Sequence, residues 1–231
     1  GRIDGCRFSG NTGGSTAYDG ALFITKGTVS RSVFTNNDRT PIYNDGGTVE
    51  NCLVYGNTCS VKSGWSFVYL AGVNHRSGTI RNCTIAGNKH TGSAVGCAGL
   101  LAAGGTVVNN IVWNNTAADG TPKGYSFGSG ATVKNNLLDT AYGAKELGNL
   151  AADPLFVDAE NNDYHLVFGS PAIDTAQEIE SVTIDLDGVS RPQRSGWDIG
   201  CYENFSTATE LMVNLVFSQA EYGPGESVTI G

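Results

Sequence analysis

One nine-residue pattern recurs six times in residues 1–145, and this recurrence restricts the possible folds more than any other feature of the chain. The pattern is apolar, any, Gly or Asn, small, any, apolar, any, any, Asn. It runs from Ile3 to Asn11, Val29 to Asn37, Val49 to Asn57, Ile80 to Asn88 and Val107 to Asn115. A sixth copy begins at Val133 and has Ala141 in place of the final Asn. The copies start 26, 20, 31, 27 and 26 residues apart. Periods of roughly 20 to 50 residues mark units that cannot bury an apolar face alone and must stack on one another.

Strand periodicity decides how they stack. The first and third positions of each copy share one parity and the fourth and sixth the other, so the chain must bend at the third. That position holds Gly5, Asn51, Asn82, Asn109 and Asn135, which tolerate a left-handed backbone, with Arg31 the exception. A short apolar segment precedes each copy: Leu22-Phe23-Ile24, Ile42-Tyr43, Val68-Tyr69-Leu70, Leu100-Leu101 and Tyr125-Ser126-Phe127. From Phe23, Tyr43, Leu101 and Phe127 the next copy starts six residues on; from Tyr69 it starts eleven on, which predicts an inserted loop from Gly72 to Gly78.

Three short strands per turn describe an all-β parallel β-helix of about six coils, each ~4.8 Å above the last. A leucine-rich repeat would need a Leu-x-x-Leu-x-Leu run in every copy, and a propeller four strands per blade. The 32 Gly in 231 residues fit frequent turns and oppose a helical fold.

Stacking turns positions into columns. The fourth (Cys6, Ser32, Cys52, Cys83, Asn110, Asn136) and the sixth (Phe8, Phe34, Val54, Ile85, Val112, Leu138) point inward. The ninth, Asn11, Asn37, Asn57, Asn88 and Asn115, forms a structural ladder of side-chain amides. The fifth and seventh face outward, and Tyr55 and Trp113 in that row are candidates to stack on sugar rings unless a flanking segment covers them. The expected loop supplies the second candidates, His75 and Arg76, near Trp65 and Tyr69.

Charge divides the chain. Residues 1–145 hold 12 Lys and Arg against 7 acids, and residues 146–231 hold 2 against 15. The expected parts are 1–145, the repeats; 146–205, an irregular C-terminal cap; and 206–231, a linker with the start of a truncated β-sandwich-like domain. Leu155, Phe156, Leu166, Val167, Phe168 and Ile173 are expected to cover the last coil, and Asp187, Arg191 and Asp198 to form an ion-paired turn network. The basic residues form no dense stripe, which argues against nucleic acid as a partner. No apolar run approaches the ~20 residues of a membrane span. Gly1 with no charged, then apolar, start suggests a signal peptide already removed.

Catalytic signatures are sparse. The seven acids of residues 1–145 fall in no column on adjacent coils, although Asp38 and Asp45 flank one coil, and only His75, His90 and His165 are present. There is no His-Glu-x-x-His, Gly-x-Ser-x-Gly or phosphate loop. No catalytic residue, cofactor or transition-metal site is assigned. Asp158, Glu160 and Asp163 have the alternating oxygens of a structural Ca²⁺ site but lack the Gly and terminal Glu of an EF-hand. Cys52 and Cys83 read as buried thiols, because parallel side chains do not converge to disulfide geometry; Cys59 and Cys97 lie in turns where a bridge is conceivable, and the state of Cys201 is open.

Phe8-Ser-Gly-Asn11 and Phe34-Thr-Asn-Asn37 resemble the repeats of polymorphic outer-membrane adhesins, and Gly20-Ala21-Leu22 and Ala98-Gly99-Leu100 resemble their Gly-Gly-Ala-Ile partner motif. The series Asp153-Pro-Leu-Phe156, Asp163-Tyr-His-Leu166, Gly169-Ser-Pro-Ala-Ile-Asp174, Asp185-Leu-Asp-Gly188, Arg191-Pro192 and Asp198-Ile-Gly-Cys-Tyr-Glu203 resembles the choice-of-anchor domain. That domain follows right-handed β-helix repeats in many secreted bacterial proteins, including those of gut Bacteroidetes; Cys201 replaces its usual Ala. These resemblances imply a right-handed β-helix, secreted or on the bacterial outer surface. They further imply a non-enzymatic role in adhesion or glycan binding, with a polysaccharide, host-surface glycan or protein as partner. The alternatives are a polysaccharide lyase or glycoside hydrolase acting on acidic glycans, and an architectural stalk.

Overall fold

In the computed structural model, which describes residues 1–12, 20–60, 70–92, 97–143 and 147–205, equivalent residues of successive copies pair directly. Phe8 pairs with Phe34, Phe34 with Val54, Val54 with Ile85, Ile85 with Val112 and Val112 with Leu138, all in parallel register. Phe8 and Phe34 stack with their rings parallel, 4.6 Å apart. The aliphatic members of the column are fully buried. The six corner residues have φ between 44° and 63°, Arg31 included. A second left-handed corner follows the short strand of the first five copies, at Gly10, Asn36, Gly56, Gly87 and Asn114.

The coils build three parallel sheets. The flank sheet runs Arg7–Ser9, Val33–Thr35, Leu53–Tyr55, Thr84–Ala86, Ile111–Trp113 and Leu137–Leu138, and Leu150–Ala151 continues it past the repeat boundary expected near residue 145. A small sheet of Thr58–Cys59, Lys89–His90 and Thr116–Ala117 follows the ladder asparagines and has no counterpart in the sequence reading. The third sheet corrects that reading. In four coils the upstream segment and the start of the copy are one bent strand of nine or ten residues, Ile42–Glu50, Val73–Arg81, Leu100–Val108 and Tyr125–Lys134, while Leu22–Ile24 and Thr28–Ser30 stay separate as expected. Glycines such as Gly46, Gly78 and Gly105 at positive φ make the bend.

The expected loop from Gly72 to Gly78 is therefore strand from Val73 onward. Asn74 pairs with Tyr43 and Leu101, and the step of six to the next copy holds in this coil as well. The apolar run at Val68-Tyr69-Leu70 resembled a strand more than Val73-Asn74-His75 did, because the inward residue of the true strand is a histidine. His75 is fully buried, and its Nδ1 lies 3.1 Å from the Nδ2 of Asn44, which donates to it. That bond places the ring proton on Nε2. Burial pulls the imidazole down to about 4.

Amide ladders bind the coils. The Nδ2 groups of Asn11, Asn37, Asn57 and Asn88 each donate to the Oδ1 of the next rung at 2.8–2.9 Å. The backbone N–H of each rung donates to the same oxygen. From Asn37 onward, Nδ2 also reaches a carbonyl of the coil before, at Phe8, Phe34, Val54 and Ile85. A second ladder, Asn110, Asn136 and Asn149, repeats this geometry in the fourth-position column. In the upper coils the column holds thiols and a hydroxyl: Cys52 and Cys83 donate to the carbonyls of Glu50 and Arg81.

The C-terminal segment does not sit on the end of the helix. It returns along the outer face of the flank sheet. Tyr164, Cys201 and Tyr202 pack on Leu53 and Ala86, and Leu166, Ala172 and Ile199 pack on Ile111 and Leu137. Of the residues expected to cover the last coil, Phe156, Leu166 and Ile173 instead join this lateral layer, whereas Leu155 and Phe168 remain exposed. Two corner asparagines fasten it: Asn109 exchanges two hydrogen bonds with Gln177, and Asn51 donates to the carbonyl of Ile184. Gly200 approaches so closely that a Cβ would stand 2.7 Å from Ile111 and 2.9 Å from Thr84.

The motif residues of this segment form a buried network around Arg191. Its Nη1 donates to Glu203 Oε2 at 2.6 Å and to the carbonyl of Asp198, and its Nη2 donates to the carbonyl of Gly200 and to Asn51 Oδ1. The partner of Arg191 is thus Glu203, not Asp187. Asp198 and Asp185 use their carboxylates on backbone N–H groups of Asp174, Asn204, Val189 and Glu203. Burial pushes Glu203 up to about 7 against the pull of Arg191.

Two outcomes are expected. Because folded His75 refuses a proton that the unfolded chain accepts below its ordinary value, stability falls as pH drops from 6.5 toward about 4. At ~1.4 kcal/mol per unit the loss is about 3 kcal/mol. Chemical denaturation at pH 7 and pH 4.5 should show a smaller loss in His75→Gln than in wild type; equal losses contradict the assignment. Arg191→Ala strands Glu203 in the interior and is expected to cost roughly 3–5 kcal/mol in the same assay, whereas a solvent-exposed turn residue would cost under about 0.5 kcal/mol.

Candidate functional site

The outward row was a candidate sugar platform, and the structure corrects this: the lateral segment covers most of it. Leu53, Ile111 and Leu137 are 3%, 1% and 0% exposed. Tyr55 is half-buried, with its ring 5.3 Å from that of Tyr164. The apolar residues at these positions face the C-terminal layer, which explains why water-facing positions of a β-helix carry Leu, Ile and Ala.

Trp113, at the margin of this layer, is different. It packs partly against the buried group of Ile111 and Leu137 and also lines a cavity of about 170 Å³. The other lining residues are Asn114, Asn115, Thr116, Gly120, Pro122 and Asp139. Local structure builds this cavity from the chain upward. Asn114, at φ 50°, turns the backbone sharply after the strand. Thr116 then bridges antiparallel to Pro122, and a tight turn closes between Ala117 and Thr121, whose carbonyl accepts from the Ala117 N–H at 2.8 Å. The turn forms one wall.

Asp139 comes from the next coil, one rung along from Trp113 in the flank register. It belongs to the copy whose ninth position is Ala141, so it stands near where the asparagine ladder stops. Its carboxylate lies over Gly124, where a Cβ would be 2.5 Å from Oδ2; only glycine leaves room for it. Burial pushes the carboxyl above the usual carboxylate range. Oδ2 is buried and has no hydrogen-bond partner among the described residues. Asn115, by contrast, is satisfied: its Oδ1 accepts from Asn88 and its Nδ2 donates to the carbonyls of Ile85 and Trp113.

The other candidates separate. His75 is in the core and cannot meet a ligand, which corrects its assignment to a loop; Arg76 beside it is exposed and donates to the Tyr43 hydroxyl at 3.3 Å. Trp65 and Tyr69 lie outside the described residues, as does residue range 206–231. The Ca²⁺ candidates are otherwise engaged. Asp158 caps a short turn by accepting from Asn161, and Asp163 bonds to His165, so these carboxylates do not converge. Among the described residues no group of three His, Cys, Asp or Glu could hold a metal. His165 lies between Asp163 and Asp187, at 2.6 and 2.9 Å. Burial opposes its protonation, yet these two bonds outweigh burial and raise it above the usual imidazole range. Asp38 accepts from Ser60 and Asp45 from Ser77, so each is held on its own sheet. None of the six cysteines forms a disulfide; Cys52, Cys59, Cys83, Cys97 and Cys201 are buried. Burial pushes the Cys97 thiol up to about 12 and that of Cys83 well above its ordinary value.

Sequence reasoning missed Asp139 as a site residue, although the signal was there: it is the acid in the copy that loses its ladder asparagine. It missed Asn149 too, because the seventh rung retains only a fragment of the repeat.

No helix among the described residues is long and apolar enough to cross a membrane. No curated protein and no solved structure matches this sequence closely enough to add a relative. The family described as a right-handed β-helix region matches residues 1–138, more than half of the chain and most of the stacked repeats. With its parallel sheets and register-matched coils, the chain belongs to the right-handed β-helix family.

Proposed function

We propose that this chain is a non-enzymatic, secreted or cell-surface β-helix that binds glycan, and that the cavity beside Trp113 is where it does so. The observation that carries this reading is an indole lining a cavity of about 170 Å³ that also has the Asp139 side chain on its wall. Sugars are bound by an aromatic surface for the C–H face and by polar groups that fix the hydroxyls. About 150 Å³ is enough to accept one six-membered ring, so the cavity suits one sugar unit at the end or side of a chain. The rest of the flank is a covered scaffold that holds these groups rigidly, in keeping with function placed on loops of a fixed framework.

The resemblance of the repeats to adhesins, and of residues 153–203 to a choice-of-anchor domain, supports display at a bacterial surface. The acids of residues 1–145 fall in no column on adjacent coils, which supports binding without turnover on the β-helix, since glycosidic hydrolysis uses a pair at ~5–9 Å.

A glycan array followed by calorimetry on the full chain is the test. Wild type is expected to bind at least one glycan class, and Trp113→Ala to weaken that binding by roughly tenfold or more. Thermal melts of Trp113→Ala and Trp113→Phe separate lost binding from lost folding. Binding that persists unchanged in a folded Trp113→Ala protein contradicts the site.

A further inference from the structure

Two parts of the lateral layer, the hairpin Phe156–Leu166 and the turn Asp185–Gly188, meet on one side chain. His165 stands on the second strand of the hairpin. Its Nδ1 lies 2.6 Å from Asp163 on the same strand, and its Nε2 lies 2.9 Å from Asp187 on the turn. A carboxylate only accepts, so both ring nitrogens must donate, and only the imidazolium carries two N–H groups. The neutral ring would keep one of these bonds and turn a lone pair toward the other carboxylate. The ring also stacks on Tyr202, with the centroids 3.9 Å apart. Asp163, Asp187 and Tyr202 are the groups set round it, with Asp185 behind, acting on the same Tyr202 hydroxyl. Among the described residues no Lys or Arg pairs with Asp163 or Asp187.

The turn is fixed from behind. Asp185 accepts from the N–H groups of Val189 and Glu203, and the Leu186 N–H donates to the carbonyl of Cys201. The hairpin is held by the packing of Phe156, Tyr164 and Leu166 on the flank, by Asn204, which donates to the Leu166 carbonyl, and by His165. Of these three attachments only the last depends on a proton that moves near neutral pH.

We infer that His165 is a proton-operated clasp: as the imidazolium it ties the hairpin to the turn, and on losing its proton it lets one of them go, loosening the hairpin over Leu53, Tyr55 and Ala86. The flank thereby gains a pH-dependent cover, whatever the cavity beside Trp113 binds. Burial opposes the charge on His165, but the two carboxylates outweigh it and hold the imidazole above 6.5. A raised value means that the clasp is complete below 6.5 and is lost as pH rises through the folded value, the reverse of His75. Glu203, pushed by burial up to about 7 in the same layer, loses stability in the same direction as pH rises. A variant must therefore separate the two.

The experiment is NMR on the full chain. The imidazole signals of His75, His90 and His165, assigned through bonds in wild type, are followed from pH 5 to 9. The His165 midpoint is expected above 6.5 and should fall in Asp187→Asn, which keeps the size of the side chain and removes its charge. Hydrogen exchange at Val167, whose N–H donates to the Leu155 carbonyl at the base of the hairpin, reads the clasp; Ile111, bonded to Cys83 within the β-helix, is the reference. Measured against the unfolded chain at each pH, Val167 should lose roughly fivefold more protection between pH 6 and pH 8.5 in wild type than in His165→Gln, the upper end for a partly exposed ion pair. Ile111 should change equally in both. A His165 midpoint at or below 6.5, or equal losses at Val167 in the two proteins, overturns the inference. The wild-type titration needs no variant, so a folding defect in either one cannot hide the result.

Discussion

Each interior rung of the asparagine ladder holds three coils with one side chain. The amide of Asn57 donates to Asn88 in the coil on one side and to the carbonyl of Phe34 on the other, while its Oδ1 receives both donors of Asn37. These partners are 20 to 31 residues apart in sequence, so the ladder fixes which residues of different coils lie together. A single such bond contributes about 0.5–1.5 kcal/mol net, but losing one member leaves buried donors and acceptors unmatched at about 1–3 kcal/mol each. The apolar columns of Val29, Val49, Ile80 and Val107 would tolerate a slip between coils of similar shape; the amides would not. Register set this way lets a repeat of imperfect sequence act as a rigid body.

On that body the C-terminal segment is laid as a second layer. Its attachment is directional where the core is not: corner asparagines Asn51 and Asn109, already in the left-handed conformation that turns the coil, point their amides outward to its backbone. The Arg191–Glu203 pair, almost without solvent exposure, then joins the two layers through Asn51. Such a pair is a poor source of net stability relative to an apolar substitute, and its role here is to define one docking position. The layer stops at Trp113, and the cavity lies at that margin, where rigid coil meets an added turn.

Much of this was legible in the residues. The column at position six corresponds to observed strand pairs and those at four and nine to hydrogen-bonded stacks between coils, and the corner at the third position holds even for Arg31, whose φ of 44° is forced by the stack rather than favoured by the side chain. The errors have physical causes. A strand whose inward residue is His75 does not look apolar, so the bent strand was misplaced by five residues toward Tyr69. An outward apolar row signals a cover but does not say which segment supplies it, and long-range docking leaves no periodic trace. The cavity was half legible: Trp113 stood out as an aromatic, whereas Asp139 gains meaning only once the ladder is seen to end beside it.

The central claim is that the asparagines lie rung on rung, and residue-resolved hydrogen exchange at the backbone amides of Asn37, Asn57 and Asn88 tests it most directly. Each of these amides donates to a side-chain oxygen one coil away. If the coils are stacked, all three should exchange more slowly than the unfolded chain by roughly a thousandfold or more, opening only with the global unfolding of the domain. Exchange at the rate of the unfolded chain would contradict the stacked arrangement and the site built upon it.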